Sequence, residues 1–147
     1  MIRAILLLAA FVALGALFTP PAAAQQGGYV VIVNEANRVA TVSAAELSRM
    51  FMKKMNRWES GLDVVPVDLP ESAAAREAFS AQVHGKAVSA VHAFWQQQIF
   101  SGRAVPPAEK GSDEQVVAFV RSTPGAIGYV STGAALGAGV RRVQVVR

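Results

Sequence analysis

The stretch Glu71-Ser72-Ala73-Ala74-Ala75-Arg76 holds the residues best suited to chemistry in this chain. A hydroxyl, small residues and a guanidinium lie within one helical turn of each other. A helix starting there presents unpaired backbone N–H groups and a partial positive charge to the space before it. That combination recognises an oxyanion, with Ser72, Ala73, Ala74 and Arg76 as the candidate contacts. The same residues also have a purely structural use. Ser72 can cap the helix, and Arg76 can pair with Glu71 or Glu77.

Other chemistry finds little support in the residue pattern. His84 and His92 fall at the end of one predicted helix and within the next, without metal-ligand spacing. There is no cysteine, which excludes thiolate catalysis, a disulfide framework and a Cys-based zinc site. No Gly-x-Ser-x-Gly elbow is present. Gly125-x-x-Gly128 precedes no Lys-Ser/Thr pair and enters a strand, so it is not a phosphate loop. No cofactor is implied, and a non-enzymatic protein is expected. The chain carries 14 basic and 10 acidic residues, a net +4. The basic residues are scattered apart from Lys53, Lys54 and Arg57, too thin a footprint for nucleic acid.

The elements that must position Ser72–Arg76 follow from periodicity. Tyr29–Val33 is a continuous apolar, β-branched run, as expected of a strand buried on both faces. Ser43 with Glu46 forms a capping box, and Leu47, Met50 and Phe51 continue at helical spacing. Arg49, Lys53 and Arg57 lie nearer its end, where they suit the helix dipole. Leu62–Val67 reads as a strand, Asp68–Glu71 as a loop and Ala73–Val83 as a helix ended by Gly85. Val88–Phe100 is a further helix, with Trp95 on its apolar stripe. Ser112 and Gln115 make a second capping box before the helix Asp113–Arg121. Ala126–Val130 and Val140–Val146 are strands. Strands alternate with helices throughout, which predicts an α/β layer fold with a mostly parallel central sheet flanked by helices.

The first residues carry an export signal. Arg3 precedes the apolar run Ala4–Phe18, Thr19-Pro20-Pro21 breaks it, and Ala22-Ala23-Ala24 offers a cleavage site. The run is the length of a signal-peptide core and short for a membrane span. Residues 1–24 are expected to be a cleaved signal peptide and residues 25–147 a single domain. Removing Arg3 with the leader leaves 13 basic residues against 10 acidic. The expected location is the periplasm of a Gram-negative bacterium.

Several of these segments, in order, resemble a known family. Ser43–Gly61 (SAAELSRMFMKKMNRWESG), Val64–Val67 (VVPV), Ala75–Phe79 (AREAF), His92–Pro107 (HAFWQQQIFSGRAVPP) and Pro124–Val130 (PGAIGYV) are similar to the phosphate ABC transporter substrate-binding proteins, and to their short, single-domain members. The resemblance implies one lobe of a type 2 periplasmic-binding-protein-like fold. It implies phosphate or a similar oxyanion as ligand, and a membrane transporter or another protein as partner. It also exposes a departure. Where the family places Ser-Gly-Thr before Arg76, this chain has Ala73-Ala74-Ala75. Each hydrogen bond to a charged group contributes roughly 1.5–3 kcal/mol, so two missing hydroxyls predict weak binding. The alternative is an interaction module that keeps the fold without the ligand and binds a protein partner or a second copy. Oligomeric state does not follow from the sequence.

Overall fold

The computed structural model describes residues 28–147, so the expected leader, Met1–Ala24, lies outside them. Six strands form one sheet: β1 (Tyr29–Asn34), β2 (Thr41–Ser43), β3 (Val65–Asp68), β4 (Ala108–Glu109), β5 (Ala126–Ser131) and β6 (Val140–Val146). Their order across the sheet is β2-β6-β1-β5-β3-β4. The expected α/β architecture is present. Its parallel character rests on the pairings β2–β6, β3–β4 and β3–β5. The central strand β1 runs antiparallel to both of its neighbours, β5 and β6. A strand buried on both faces reads the same in either direction, so its sequence carried no signal of this.

Among the described residues there are four helices, α1 (Ala44–Phe51), α2 (Ala74–Phe79), α3 (Val88–Phe100) and α4 (Asp113–Ser122); α1, α2 and α4 pack on the sheet, and α3 packs outside them against the turn that follows α2. The Ser43 capping box forms in full: its hydroxyl accepts the Glu46 N–H, and Glu46 accepts the Ser43 N–H. At α4 only half of the expected box forms. Ser112 accepts the Gln115 N–H, but the Gln115 side chain takes the Gly111 N–H instead. The helix expected over Ala73–Val83 is α for its first part and then widens into a π-turn, Ser80–His84. Gly85 ends it in the left-handed region, at φ 63°.

Alternation along β5 assigns the helices to faces. Tyr129 stacks on Phe79, with ring centroids 3.9 Å apart, and Phe51 lies 5.7 Å from Tyr129. The face bearing α1 and α2 is therefore aromatic. Its neighbour Gly128 faces the other way, where a Cβ would come within 2.7–2.9 Å of Val67 and Val116. The missing side chain lets α4 sit tightly on that face. Gly125 allows an equally close approach, because a Cβ there would lie 1.9 Å from the Asp63 carbonyl oxygen. Trp58, 7% exposed, closes the core beside it and donates its indole N–H to the Gly125 carbonyl.

Candidate functional site

Strand β3 ends at Asp68 and β4 ends at Glu109, and these residues are register partners in a parallel pair. Two carboxylates thus meet at the carboxyl edge of the sheet, where open α/β sheets bind ligands. The chain leaves β3 through Leu69–Ala73 and enters α2, which brings Arg76 back over the same edge. Arg76 is buried there, at 7% exposure. Nη1 donates to the Leu69 carbonyl at 2.6 Å and to Glu109 Oε2 at 2.9 Å. Nη2 stands 3.8 Å from Asp68 Oδ2. The partners expected along its own helix, Glu71 and Glu77, are not the ones it takes.

Asp68 is buried, and its other oxygen accepts the Tyr129 hydroxyl at 2.5 Å. Burial pushes its carboxyl above the ordinary value, opposed by Arg76 and by the tyrosyl hydrogen bond. The Tyr129 hydroxyl is raised as well, by burial first and then by the Asp68 charge. A cavity of about 240 Å³ opens over this group, between the sheet edge and α3. Asp68, Arg76 and Glu109 line one side, and His92 and Trp95 the other. His92 Nδ1 is hydrogen-bonded to Glu71, which ties α3 to the loop before α2.

The residues expected to contact an anion are distributed as follows. Ser72 is exposed in the turn before α2 and is not its cap. The N-cap is Ala73, with extended backbone and no side-chain hydrogen bond. Its carbonyl takes the N–H groups of Arg76 and Glu77. Among the described residues the N–H groups of Ala74 and Ala75 find no hydrogen-bond partner. The structure therefore brings Arg76 to the sheet edge beside a helix start with free donors. It also places two carboxylates on Arg76, which the sequence reading missed. Asp68 opens the loop expected after the strand Leu62–Val67, and Glu109 carries no local pattern of its own. The available signal was a lone acid closing an apolar strand.

His84 lies outside this cavity. Its Nδ1 is 2.9 Å from the Ser48 hydroxyl on α1. Burial, with Arg76 and Lys86 nearby, pushes its pKa down to about 4. Among the described residues no three His, Asp or Glu side chains gather to hold a metal ion, and no helix is long and apolar enough to cross a membrane.

This fold is a periplasmic-binding-protein-like α/β lobe, a mixed six-stranded sheet with helices on its faces and the cavity at its carboxyl edge. It matches solved phosphate receptors. An ABC-type phosphate transport receptor from Vibrio cholerae superposes with a TM-score of 0.63 at 16% identity, over 81% of this chain and 46% of that one. A candidate phosphate ABC transporter substrate-binding protein with bound phosphate from Clostridium perfringens gives 0.63 at 20% identity, over 81% and 45%. PstS from Borrelia burgdorferi gives 0.57 at 14% identity, over 81% and 47%. The chain spans about half the length of the structures it matches. No protein-family model and no curated protein matches this sequence.

Proposed function

We propose that this chain is an exported, non-enzymatic solute-binding lobe that takes phosphate or a similar oxyanion weakly at the start of α2. Residues 1–24 act as the cleaved leader, and residues 25–147 form the periplasmic domain. The reading is carried by the position of Arg76, at the carboxyl edge of the sheet beside the free N–H groups of Ala74 and Ala75. Weakness follows from its neighbours. An incoming anion competes with Glu109 for Nη1, and it enters a cavity where Asp68, Glu71 and Glu109 face a single guanidinium. The Ala73–Ala75 run supplies no hydroxyl to offset this. That the matched structures are phosphate receptors supports the choice of ligand.

Calorimetric titration with phosphate tests the reading, using the wild type and Glu109→Gln. The amide removes the competing charge, so the variant should bind phosphate several-fold more tightly. Equal, undetectable binding by both proteins at millimolar phosphate would sink it.

One observation favours a second reading, an interaction module. Ile99, Phe100 and Val105, at the end of α3 and just beyond it, are 52%, 95% and 66% exposed. Apolar groups gathered this openly mark surfaces that meet partners. Light scattering decides whether the protein self-associates, and Phe100→Asp should abolish any assembly that uses this patch.

A further inference from the structure

The hydrogen bonds at the Arg76 edge leave two polar atoms over. Arg76 uses Nη1 for the Leu69 carbonyl and for Glu109 Oε2. Asp68 uses Oδ1 to accept the Tyr129 hydroxyl. Arg76 Nη2 and Asp68 Oδ2 are then 3.8 Å apart, too far for a hydrogen bond. Neither atom finds another partner among the described residues, and neither is fully enclosed. Both residues line the cavity of about 240 Å³ between the sheet edge and α3. An anion oxygen placed there meets a free guanidinium donor and, beside it, a carboxylate oxygen.

When ionised, Asp68 and Glu109 already outweigh the single charge of Arg76. A further negative charge next to Oδ2 is opposed by repulsion and by lost hydration. A proton on Oδ2 removes the repulsion and turns an acceptor into a donor for the same anion. Burial holds the Asp68 carboxyl above the ordinary value, with Glu109 and Glu71 acting the same way against Arg76 and the Tyr129 hydrogen bond. The other groups on this side of the sheet are accounted for. The Tyr129 hydroxyl is raised by burial and by Asp68, so it keeps its proton. His84, pushed down to about 4 by burial and then by Arg76 and Lys86, is neutral above about pH 5. On α1 the charged residues are Glu46, bound to Ser43, and Arg49; α2 also carries Glu77. Lys110, after Glu109, sets its ammonium over the Phe119 ring. His92 on α3 lines the cavity and is bonded to Glu71.

We infer that an anion enters this cavity together with one proton, taken from solvent by Asp68 Oδ2, which then donates to the anion beside Arg76 Nη2. The inference rests on the anion reading at α2 and adds its regulation. Acid strengthens binding, and binding takes up a proton, because the two effects are one coupling free energy seen from either ligand. Glu109 competes with the anion for Nη1 but has no part in the proton step.

Sulfate is the suitable probe, because its own charge is constant across the pH range that matters. Calorimetric titration from about pH 8 down to about 5.5, in buffers of different ionisation enthalpy, should show close to one proton taken up per sulfate. The affinity should rise by up to about ten-fold per pH unit on acidification. Asp68→Asn sets a permanent neutral donor beside Arg76, so it should bind sulfate about ten-fold or more tightly at about pH 8 and lose the pH dependence. Tyr129→Phe removes the hydrogen bond that lowers Asp68, and should move the profile to higher pH; it carries the test if Asp68→Asn does not fold. His92→Gln should keep the slope. Binding of sulfate without pH dependence or proton uptake overturns the inference and leaves the anion reading standing. A slope lost with His92 but kept without the Asp68 carboxylate overturns it as well. So does the absence of saturable sulfate binding at every pH, and phosphate titration then decides separately whether Arg76 takes an anion at all.

Discussion

Arg76 on α2 donates to Glu109 on β4 across 2.9 Å, joining residues 33 positions apart in the chain. This contact closes the carboxyl edge of the sheet and fills the coordination that an anion would otherwise use. It also makes Arg76 a structural residue. Its side chain is 9% exposed, whereas that of Glu109 is 53% exposed, so the two partners do not contribute alike. Solvent screens Glu109, and its loss alone should cost no more than about 1 kcal/mol.

Removing the buried member has a larger effect. Arg76→Leu strands Asp68 beneath the sheet edge, and breaking a buried pair this way costs roughly 3–5 kcal/mol. Asp68 relieves part of this by taking up a proton, which its raised pKa already favours. The expected loss is near the lower end of that range, and Asp68→Asn combined with Arg76→Leu should recover some of it. Urea denaturation of the two proteins checks the order.

Asp68→Asn alone should be tolerated. The amide oxygen still accepts the Tyr129 hydroxyl, the Asp68 charge no longer has to be buried, and Arg76 keeps Glu109 and the Leu69 carbonyl as partners. The sign follows from linkage. An acid whose pKa is raised on folding binds more protons folded than unfolded, so stability falls as pH rises from the ordinary value of 3.8 through the raised one. The variant should lack that decline, and its melting temperature at neutral pH should match or exceed the wild type. A loss of several degrees there would mean that the Asp68 charge is needed.

His84 produces the opposite slope. Its pKa falls from 6.5 to about 4 on folding, through burial first and then Arg76 and Lys86. The unfolded chain therefore binds more protons between those values, and stability is lost as pH drops from 6.5 toward 4, by roughly 3 kcal/mol in all. His84→Gln can keep the link to Ser48 without titrating. Its melting temperature should depend less steeply on pH in that window, and identical slopes would exclude His84 as the cause.

Lys53, just past α1, has φ 58°, the one non-glycine residue with positive φ among those described. A side chain in this region is strained by about 1–2 kcal/mol, part of which glycine returns as unfolded-chain entropy. Lys53→Gly should stabilise the protein by about 0.5–1 kcal/mol, visible as a melting point a few degrees higher.

Gly125 predicts the reverse. An alanine Cβ would fall 1.9 Å from the Asp63 carbonyl oxygen, a backbone atom that cannot swing aside. The same residue's carbonyl receives both Trp58 and the Val65 N–H. Gly125→Ala should cost more than about 3 kcal/mol or prevent folding, with Trp58 fluorescence shifted to the red. A native-like emission spectrum and melting point would show that the turn can move.

Local periodicity was enough for α3 and β6, whose bounds Val88–Phe100 and Val140–Val146 emerge as read. The Ser43–Glu46 box likewise declared itself, because every atom of it lies within one turn. The π-turn after Phe79 was not legible. Nor was β4, since two residues in a Pro-containing loop carry no period of their own. The candidate site was half visible. The Arg76 position and the Ala73–Ala75 run could be read locally, but the Glu109, Asp68 and Tyr129 partners could not.

The sequence by itself determined the helices and strands whose patterns repeat within a few residues, and the α/β class that their alternation requires. It also placed Arg76 at a helix start after a buried strand. Tertiary structure alone decided that β1 runs antiparallel to both neighbours, because strand direction depends on distant partners. It alone put Asp68 and Glu109 against the guanidinium. Strand register and helix docking bring those charges together across the sheet edge, and no local spacing encodes that approach.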